Sequence, residues 1–389
     1  MRPTLTYILP DLPGGVASYV RNLLRFSTSH SFETFAILTQ SRFGDSPANQ
    51  SLGADHEIYF PHRLPKENLY AVARRLLRLI PDGPGVVVTN DVVELAAFSI
   101  YDPQKMIVMI MHGDYEYYYD LATKHANIID YFVASSRHMS SKLSVLMPER
   151  SHSIRNLPCG VALPSLNRNP PEEVLRVIYA GSLSGTKRVL DLPKIDQELQ
   201  QFGVKVHWTI TGSGPEEEPL RNAWAWNPSV CWTGHIPTET VVSLLMDSDV
   251  FVLPSQSEGF PVSLVEAAAA GVVPVVSDLP SGIPEVVHPG STGFRVPVGD
   301  VKSFAQAIAS LAANRSLLEQ MSKNVRDLAT SNFDIRENVK AYDQLFESYS
   351  EPRVNRRLKQ TLHYGSRLDR PWIPNFAVRA VRAFTRRDL

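Results

Sequence analysis

A chain of 389 residues, 43% apolar and 20% charged, is long and apolar enough to bury two or three cores, and its net charge of −1 excludes a polyanion partner on bulk charge, so no nucleic acid is expected. No run of eighteen apolar residues marks a membrane span, and the opening MRPTLTYILPDLPGG is broken too soon by Asp11 and its prolines to serve as a signal peptide. Cys159 and Cys231 are too few for a disulfide framework and lack metal-ligand spacing, so reduced thiols, a cytoplasmic location and no structural zinc are expected.

In chain order, Thr4–Leu9 reads as a strand. The turn Leu12-Pro13-Gly14-Gly15 follows, where two glycines let backbone approach a ligand closely. Val16, Tyr19, Val20, Leu23 and Leu24 then keep helical spacing. Phe35–Thr39 is a strand, and Leu69, Val72, Ala73, Leu76, Leu77 and Ile80 mark an amphipathic helix. Val86–Thr89, Met106–Met111 and Tyr131–Ala134 are short and apolar throughout, as strands covered on both faces are. His112-Gly113-Asp114 stands at the end of the second of these.

The proline-rich stretch Leu163–Glu173 has no periodicity and reads as a linker. The alternation then restarts: strand Leu175–Ala180, helix Val189–Phe202, strand Lys205–Thr211, strand Val230–Thr233, helix Glu239–Met246, strand Val250–Pro254, helix Val262–Ala270 and strand Pro274–Ser277. Two doubly wound parallel sheets joined by a linker are predicted, facing across a cleft, with ligands at the carboxyl ends of the strands. The expected division is a first domain over 1–164, a linker over 165–173, a second domain over 174–335, and C-terminal helices with a basic tail over 336–389.

The most informative stretch is Ser255–Gly271, SQSEGFPVSLVEAAAAG. A buried strand ends at Pro254, and a helix starts at Pro261 and Val262, since proline suits the first turn. The free amides of Val262 and Ser263, with the helix dipole, make a site for a diphosphate. Glu258 and Glu266 stand eight positions apart and can reach hydroxyls on either side of it. As a bland alternative, Glu258 is a dipole partner and Glu266 an exposed helix residue.

With these residues in view, the chain resembles the retaining glycosyltransferases of the GT-B fold, family GT4 (glycosyl transferases group 1). The likeness runs over about residues 1 to 345, through Glu258-Gly259-Phe260-Pro261 and Glu266-Ala267. The resemblance implies two Rossmann-like domains. It implies transfer of a sugar from a nucleotide-diphosphate sugar to a glycan or lipid-linked acceptor, with retention of anomeric configuration. UDP is favoured and GDP second. Catalytic roles are implied for Glu258, Lys187 and His112. Donor contacts are implied for Gly14, Gly15, Ser182, Arg188, Gly259, Phe260, Val262, Ser263 and Glu266.

Glu258 would bind hydroxyls of the donor sugar, Glu266 those of the ribose, and the backbone of Gly259 to Ser263 the sugar and phosphates. Tyr179-Ala180-Gly181-Ser182-Leu183 followed by Lys187 resembles the family's phosphate loop, where Lys187 would neutralise the leaving diphosphate. The family often has arginine where Ser182 stands, and Arg188 is the candidate replacement. Gly234-His235-Ile236 would line the base pocket. Tyr115, Tyr117, Tyr118 and Tyr119 would stack on a sugar or fill the core.

Thr211-Gly212-Ser213-Gly214-Pro215 reads as a packing turn rather than a dinucleotide fingerprint. Asp247-Ser248-Asp249 lies at the amino end of its strand, the wrong end for a ligand. It reads as turn chemistry, so no metal and no cofactor are expected. A sugar-nucleotide epimerase or hydrolase of the same architecture, and a non-catalytic binding subunit, are the competing readings.

Residues 353–389 carry ten Arg or Lys against two Asp, a net of +8, while the rest of the chain carries −9. Phe376, Ala377, Ala380, Val381 and Phe384 share a helical face, and Arg379, Arg382 and Arg386 another. Such a helix lies on an anionic membrane, at the inner face of the cell membrane, or packs back on the first domain.

Overall fold

A computed structural model of the chain describes residues 2–11, 15–40, 51–158, 160–164, 168–169, 173–350 and 367–385. Gly14, Cys159, Arg386 and most of the expected linker lie outside the described residues, as does the side chain of Phe384. The chain forms two compact units. The first comprises Met1–Ser135, Ser140–Leu157 and Val339–Leu389, and the second Ser136–Met139 and Pro158–Asn338. The chain thus leaves the first unit at 157/158, ahead of the expected linker, and returns to it at 338/339.

The first unit contains β1 (Thr4–Pro10), α1 (Gly15–Phe26), β2 (Glu33–Thr39), β3 (His56–Phe60), α2 (Leu69–Leu77), β4 (Gly85–Thr89), α3 (Val92–Ile100), β5 (Met106–Met111), α4 (Glu116–Lys124), β6 (Tyr131–Ala134), α5 (Arg137–Leu146) and β7 (Ile154–Asn156). The strands form one parallel sheet in the order β3-β2-β1-β4-β5-β6-β7. Val86, Val87 and Val88 and every residue of β5 are buried, as β-branched and apolar runs covered on both faces must be.

The second unit contains β8 (Leu175–Ala180), α6 (Leu192–Gln201), β9 (Val206–Thr211), α7 (Glu217–Ala223), β10 (Cys231–Gly234), α8 (Thr238–Met246), β11 (Val250–Leu253), α9 (Val262–Ala269), β12 (Val273–Ser277), α10 (Ile283–Val286), β13 (Phe294–Val296), α11 (Val301–Ala313) and α12 (Arg315–Asn332). Its sheet is also parallel, in the order β10-β9-β8-β11-β12-β13. In each sheet the strand order reverses beside the first strand, between β1 and β4 and between β8 and β11. Loops leaving the carboxyl ends at such a reversal diverge to opposite faces and open a crevice.

Short side chains bring α9 close to its sheet. Ala267, Ala268, Ala269 and Ala270 are all buried there, and α12 packs on α9. The Gly212 turn has the packing role its sequence suggested. Gly212 has φ of +127°, and a Cβ there would stand 1.9 Å from the Gly181 carbonyl oxygen.

Asp249 is 0% exposed and sits between two arginines. It accepts from the backbone amide of Arg176 at 2.9 Å and from that residue's guanidinium at 3.0 and 3.1 Å, and it also pairs with Arg168. Asp247 accepts from Asn169. The Asp247-Ser248-Asp249 triplet therefore anchors the amino ends of β8 and β11.

Helix α13 (Ile335–Glu347) carries the chain back to the first unit, where Asp343 accepts from Ser27 Oγ at 2.7 Å and from the Thr28 amide at 3.0 Å. The last helix, α14 (Asn375–Thr385), packs on the same unit. Asn68 donates to the carbonyls of Arg370 and Ile373 at 2.9 and 2.7 Å, and Asn375 donates to Glu67 at 3.0 Å. Arg382 donates to the Pro65 carbonyl at 2.7 Å and pairs with Asp369 at 2.6 Å. On α14, Arg382 is turned toward the protein, while Phe376 and Arg379 are exposed.

Candidate active site

In the second unit, the loop after β8 and the loop after β11 meet at the reversal of strand order. The Gln256 amide donates to the Thr186 carbonyl at 3.0 Å and stitches the two loops together. Lys187 lies on the first loop and Glu258 on the second, and the fold brings them together. Lys187 Nζ donates to both oxygens of the Glu258 carboxylate, at 2.6 and 2.7 Å, and Ser255 Oγ donates to one of them at 2.6 Å. Glu258 is buried and Lys187 half-buried, so a charged pair is held at the mouth of the sheet in a position where water screens it weakly.

Helix α9 begins at Val262 with no side chain capping it. Its first amides are thus open to an acceptor, and the dipole favours an anion there. The Gly259 carbonyl accepts from the Gly282 amide at 2.7 Å, and a Cβ on Gly282 would lie 2.2 Å from the Phe260 ring. Phe260 itself packs on Phe333 with ring centroids 5.4 Å apart. Its ring is thus a wedge that fixes the loop, and what Gly259, Phe260, Val262 and Ser263 offer a ligand is chiefly backbone.

Glu266 is half-buried on α9, and burial pushes its carboxyl up to about 7. Among the described residues its carboxylate has no hydrogen-bond or ion-pair partner. A half-desolvated carboxylate without a donor is unfavourable in isolation and well suited to a ligand that brings hydroxyls.

Ser182 is exposed in the loop after β8. Arg188 takes a left-handed conformation, φ 51°, and its guanidinium pairs with Asp191 at 2.7 Å. Both neighbouring cations are thus engaged by acids, Lys187 by Glu258 and Arg188 by Asp191. Asp191 and Ser255 were not singled out by sequence. Their signals, an acid three positions after a basic residue and a serine three before a glutamate, are too common to stand out.

In the first unit, Gly15 is exposed at the start of α1, and His112 follows β5. The Asn90 amide, at the end of β4, settles the His112 tautomer. Asn90 Nδ2 donates to the Ile8 carbonyl at 2.7 Å, so Asn90 Oδ1 faces His112 Nε2 as an acceptor. Nε2 thus carries the proton, and Nδ1 is left with a lone pair. Burial holds His112 down to about 4, which makes it a neutral acceptor near pH 7.

The Tyr19 ring lies 5.0 Å from the imidazole at 87°, and its hydroxyl bonds to Tyr342 of α13. Glu94 accepts from the amides of Asn90 and Asp91 at 2.7 and 2.6 Å and so fixes the turn that carries Asn90. Asn90→Asp should place a carboxylate on Nε2 and raise the His112 pKa from about 4. NMR titration of the ring checks this, and an unchanged titration would contradict the contact. Of the tyrosines, Tyr119 is buried, while Tyr115 and Tyr117 are exposed beside this site.

Two doubly wound parallel sheets in this order define the GT-B class of glycosyltransferase fold, and solved structures of that class superpose on the chain. Sucrose-phosphate synthase from Thermosynechococcus elongatus does so with a TM-score of 0.73 at 17% identity, covering 89% of this chain and 99% of that one. HepE from Anabaena, solved in complex with UDP, does so with a TM-score of 0.71 at 15% identity, covering 89% and 100%.

Residues 167–328, which lie within the second unit, match the family model described as Glycosyl transferases group 1. Over 174 residues the chain is 33% identical to WcaL of Escherichia coli (strain K12), a protein bearing a colanic acid biosynthesis glycosyltransferase name. The match covers 42% of this chain and 43% of WcaL, less than half of either.

Proposed function

We propose that the chain transfers a sugar from a nucleotide-diphosphate sugar to a glycan or lipid-linked acceptor, with retention of anomeric configuration. The observation that carries this reading is the Lys187–Glu258 pair at the open start of α9, with Glu266, whose carboxylate has no partner among the described residues, one turn further on. Each part matches a part of the donor. The α9 amides and Lys187 suit the diphosphate, and Lys187 would take up the charge that appears when the anomeric bond breaks. Glu258 suits hydroxyls of the sugar, and Glu266 those of the ribose.

UDP is the favoured nucleotide, in line with the UDP bound by HepE. The proposed path is attack from the face the diphosphate leaves, with the donor phosphate accepting the acceptor's proton. The protein then works by positioning and electrostatics. In the first unit, the Nδ1 lone pair of neutral His112 would accept a sugar hydroxyl, and Gly15 would line the phosphate side. No metal is assigned a role, because Asp247 and Asp249 are engaged by Asn169, Arg168 and Arg176. Cytoplasmic work on polysaccharide is proposed. No helix among the described residues is long and apolar enough to cross a membrane.

Labelled donor sugar incubated with and without a glycan and lipid extract tests the reading. Acceptor-dependent release of nucleoside diphosphate supports a transferase. Equal release without extract supports the hydrolase alternative, and conversion of the donor to an epimeric nucleotide sugar without release supports the epimerase.

The raised Glu266 carboxyl adds a pH test. Between its ordinary range and about 7 the folded chain holds a proton that the unfolded chain has lost, so this group's contribution to stability falls as pH rises through that window. Ribose hydroxyls donating to Glu266 favour its ionised form. Donor affinity should therefore be higher at pH 8 than at pH 5.5, measured by calorimetry with a nucleotide sugar, whose diphosphate does not titrate there. Glu266→Gln should flatten the profile, and a profile that kept its slope in that variant would count against the assignment.

A further inference from the structure

We propose that the outer face of α14, with Trp372 just ahead of it, is a docking surface for an anionic lipid bilayer. Helices on globular units normally bury their apolar side, whereas Val378 is the one fully buried side chain among those described on α14. Its inward residues are Asn375, Val378 and Arg382, and two of these three are polar groups held by hydrogen bonds to Glu67, Pro65 and Asp369. Those bonds fix the helix about its own axis. Its outward residues are Phe376, Ala380 and Ala383, with Arg379 at their edge, all exposed. Phe376 is 77% exposed and Trp372 66%. Scattered apolar residues on a surface need no explanation. A tryptophan and a phenylalanine beside a helix face that is seated by its polar side do need one.

The chemistry around this face selects the occupant. Residues 353–389 carry a net of +8 in a chain whose remainder carries −9, and Arg367 and Arg379 are exposed close to the two aromatics in sequence. Tryptophan and phenylalanine settle at the headgroup level, small Ala380 and Ala383 let a helix lie flat, and arginines meet anionic headgroups. A second copy docked on the same face would bring the exposed Arg379 of both copies to one interface, which disfavours a dimer. The surface serves the lipid-linked acceptor reading given above and rests on that reading for its purpose, not for its test.

Flotation of the full chain with phosphatidylcholine vesicles, with and without phosphatidylglycerol, tests the proposal. Binding is expected to the anionic vesicles, weakening as salt rises. The Trp372→Ser, Phe376→Ser double variant should bind at least about tenfold more weakly. Its melting temperature and nucleotide-induced stabilisation should match wild type. Val145→Ser, at an exposed apolar residue on α5, should bind as wild type does. Wild type that stays with the soluble fraction, or a double variant that floats like wild type, overturns the surface. So does a Phe376-dependent dimer in sedimentation velocity without vesicle binding. Flotation that persists while no nucleotide stabilises the chain leaves the surface standing and removes the proposed function alone.

Discussion

Lys187→Ala is expected to lower donor turnover by about 10²–10³-fold, the size seen when one preplaced group that stabilises developing charge is removed. The ammonium holds both Glu258 oxygens, at 2.6 and 2.7 Å, beside amides that α9 leaves uncapped. A leaving diphosphate at the helix start would draw on the same cation. The loss should fall on kcat more than on KM, because the charge it answers is largest as the bond breaks. Lys187→Arg should recover part of the rate, since it restores charge but not the compact geometry. Single-turnover kinetics with labelled donor separate the two effects. A Lys187→Ala rate within threefold of wild type would move the phosphate site elsewhere.

Asp249→Ala should be the most destabilising single change on the second unit. Its carboxylate is buried between Arg168 and Arg176, so removing it leaves two cations with little access to water. Breaking a buried pair in this way costs about 3–5 kcal/mol. In a unit of this size that lowers the melting temperature by about 2–4 °C for each kcal/mol. Asp247→Ala, at an exposed residue whose carboxylate is bonded only to Asn169 among the described residues, should stay within about 0.5 kcal/mol of wild type. A metal role for this triplet predicts something different: both variants folded, both inactive, and activity in wild type restored by Mg²⁺ or Mn²⁺ after EDTA. Thermal denaturation of the two variants, with turnover measured alongside, distinguishes these outcomes.

The parts of the fold that were legible in the sequence are those whose burial leaves a periodic or continuous apolar record. β5 and β8 fall where their apolar runs end, and α9 starts at the Pro261-Val262 step that suits a first turn. Of the elements that were not named, β3, β7, β13 and α3 leave no such record. β3 is an edge strand, largely exposed, so its side chains do not alternate; β7 and β13 are three residues each. Helix α3 is buried on nearly every side, which erases the helical period in VVELAAFSI.

The site divides in the same way. Glu258, Lys187 and Glu266 stood out because their spacing matched a known pattern. Asn90 did not, because what it does for His112 depends on β4 and β5 being neighbours in the sheet. Arg188 was placed on the phosphates by adjacency to Lys187. Its pairing with Asp191 and its left-handed backbone are features of the fold that the residue's identity does not announce.

The central claim is that the second unit binds a nucleotide-diphosphate sugar across Lys187, Glu258 and Glu266. A thermal-shift screen of wild type and Glu266→Ala against UDP, GDP and ADP and their common sugars tests it most directly. One nucleotide series should stabilise wild type and lose most of that effect in the variant. A folded wild type that none of them stabilises, or a variant stabilised as strongly as wild type, would contradict it.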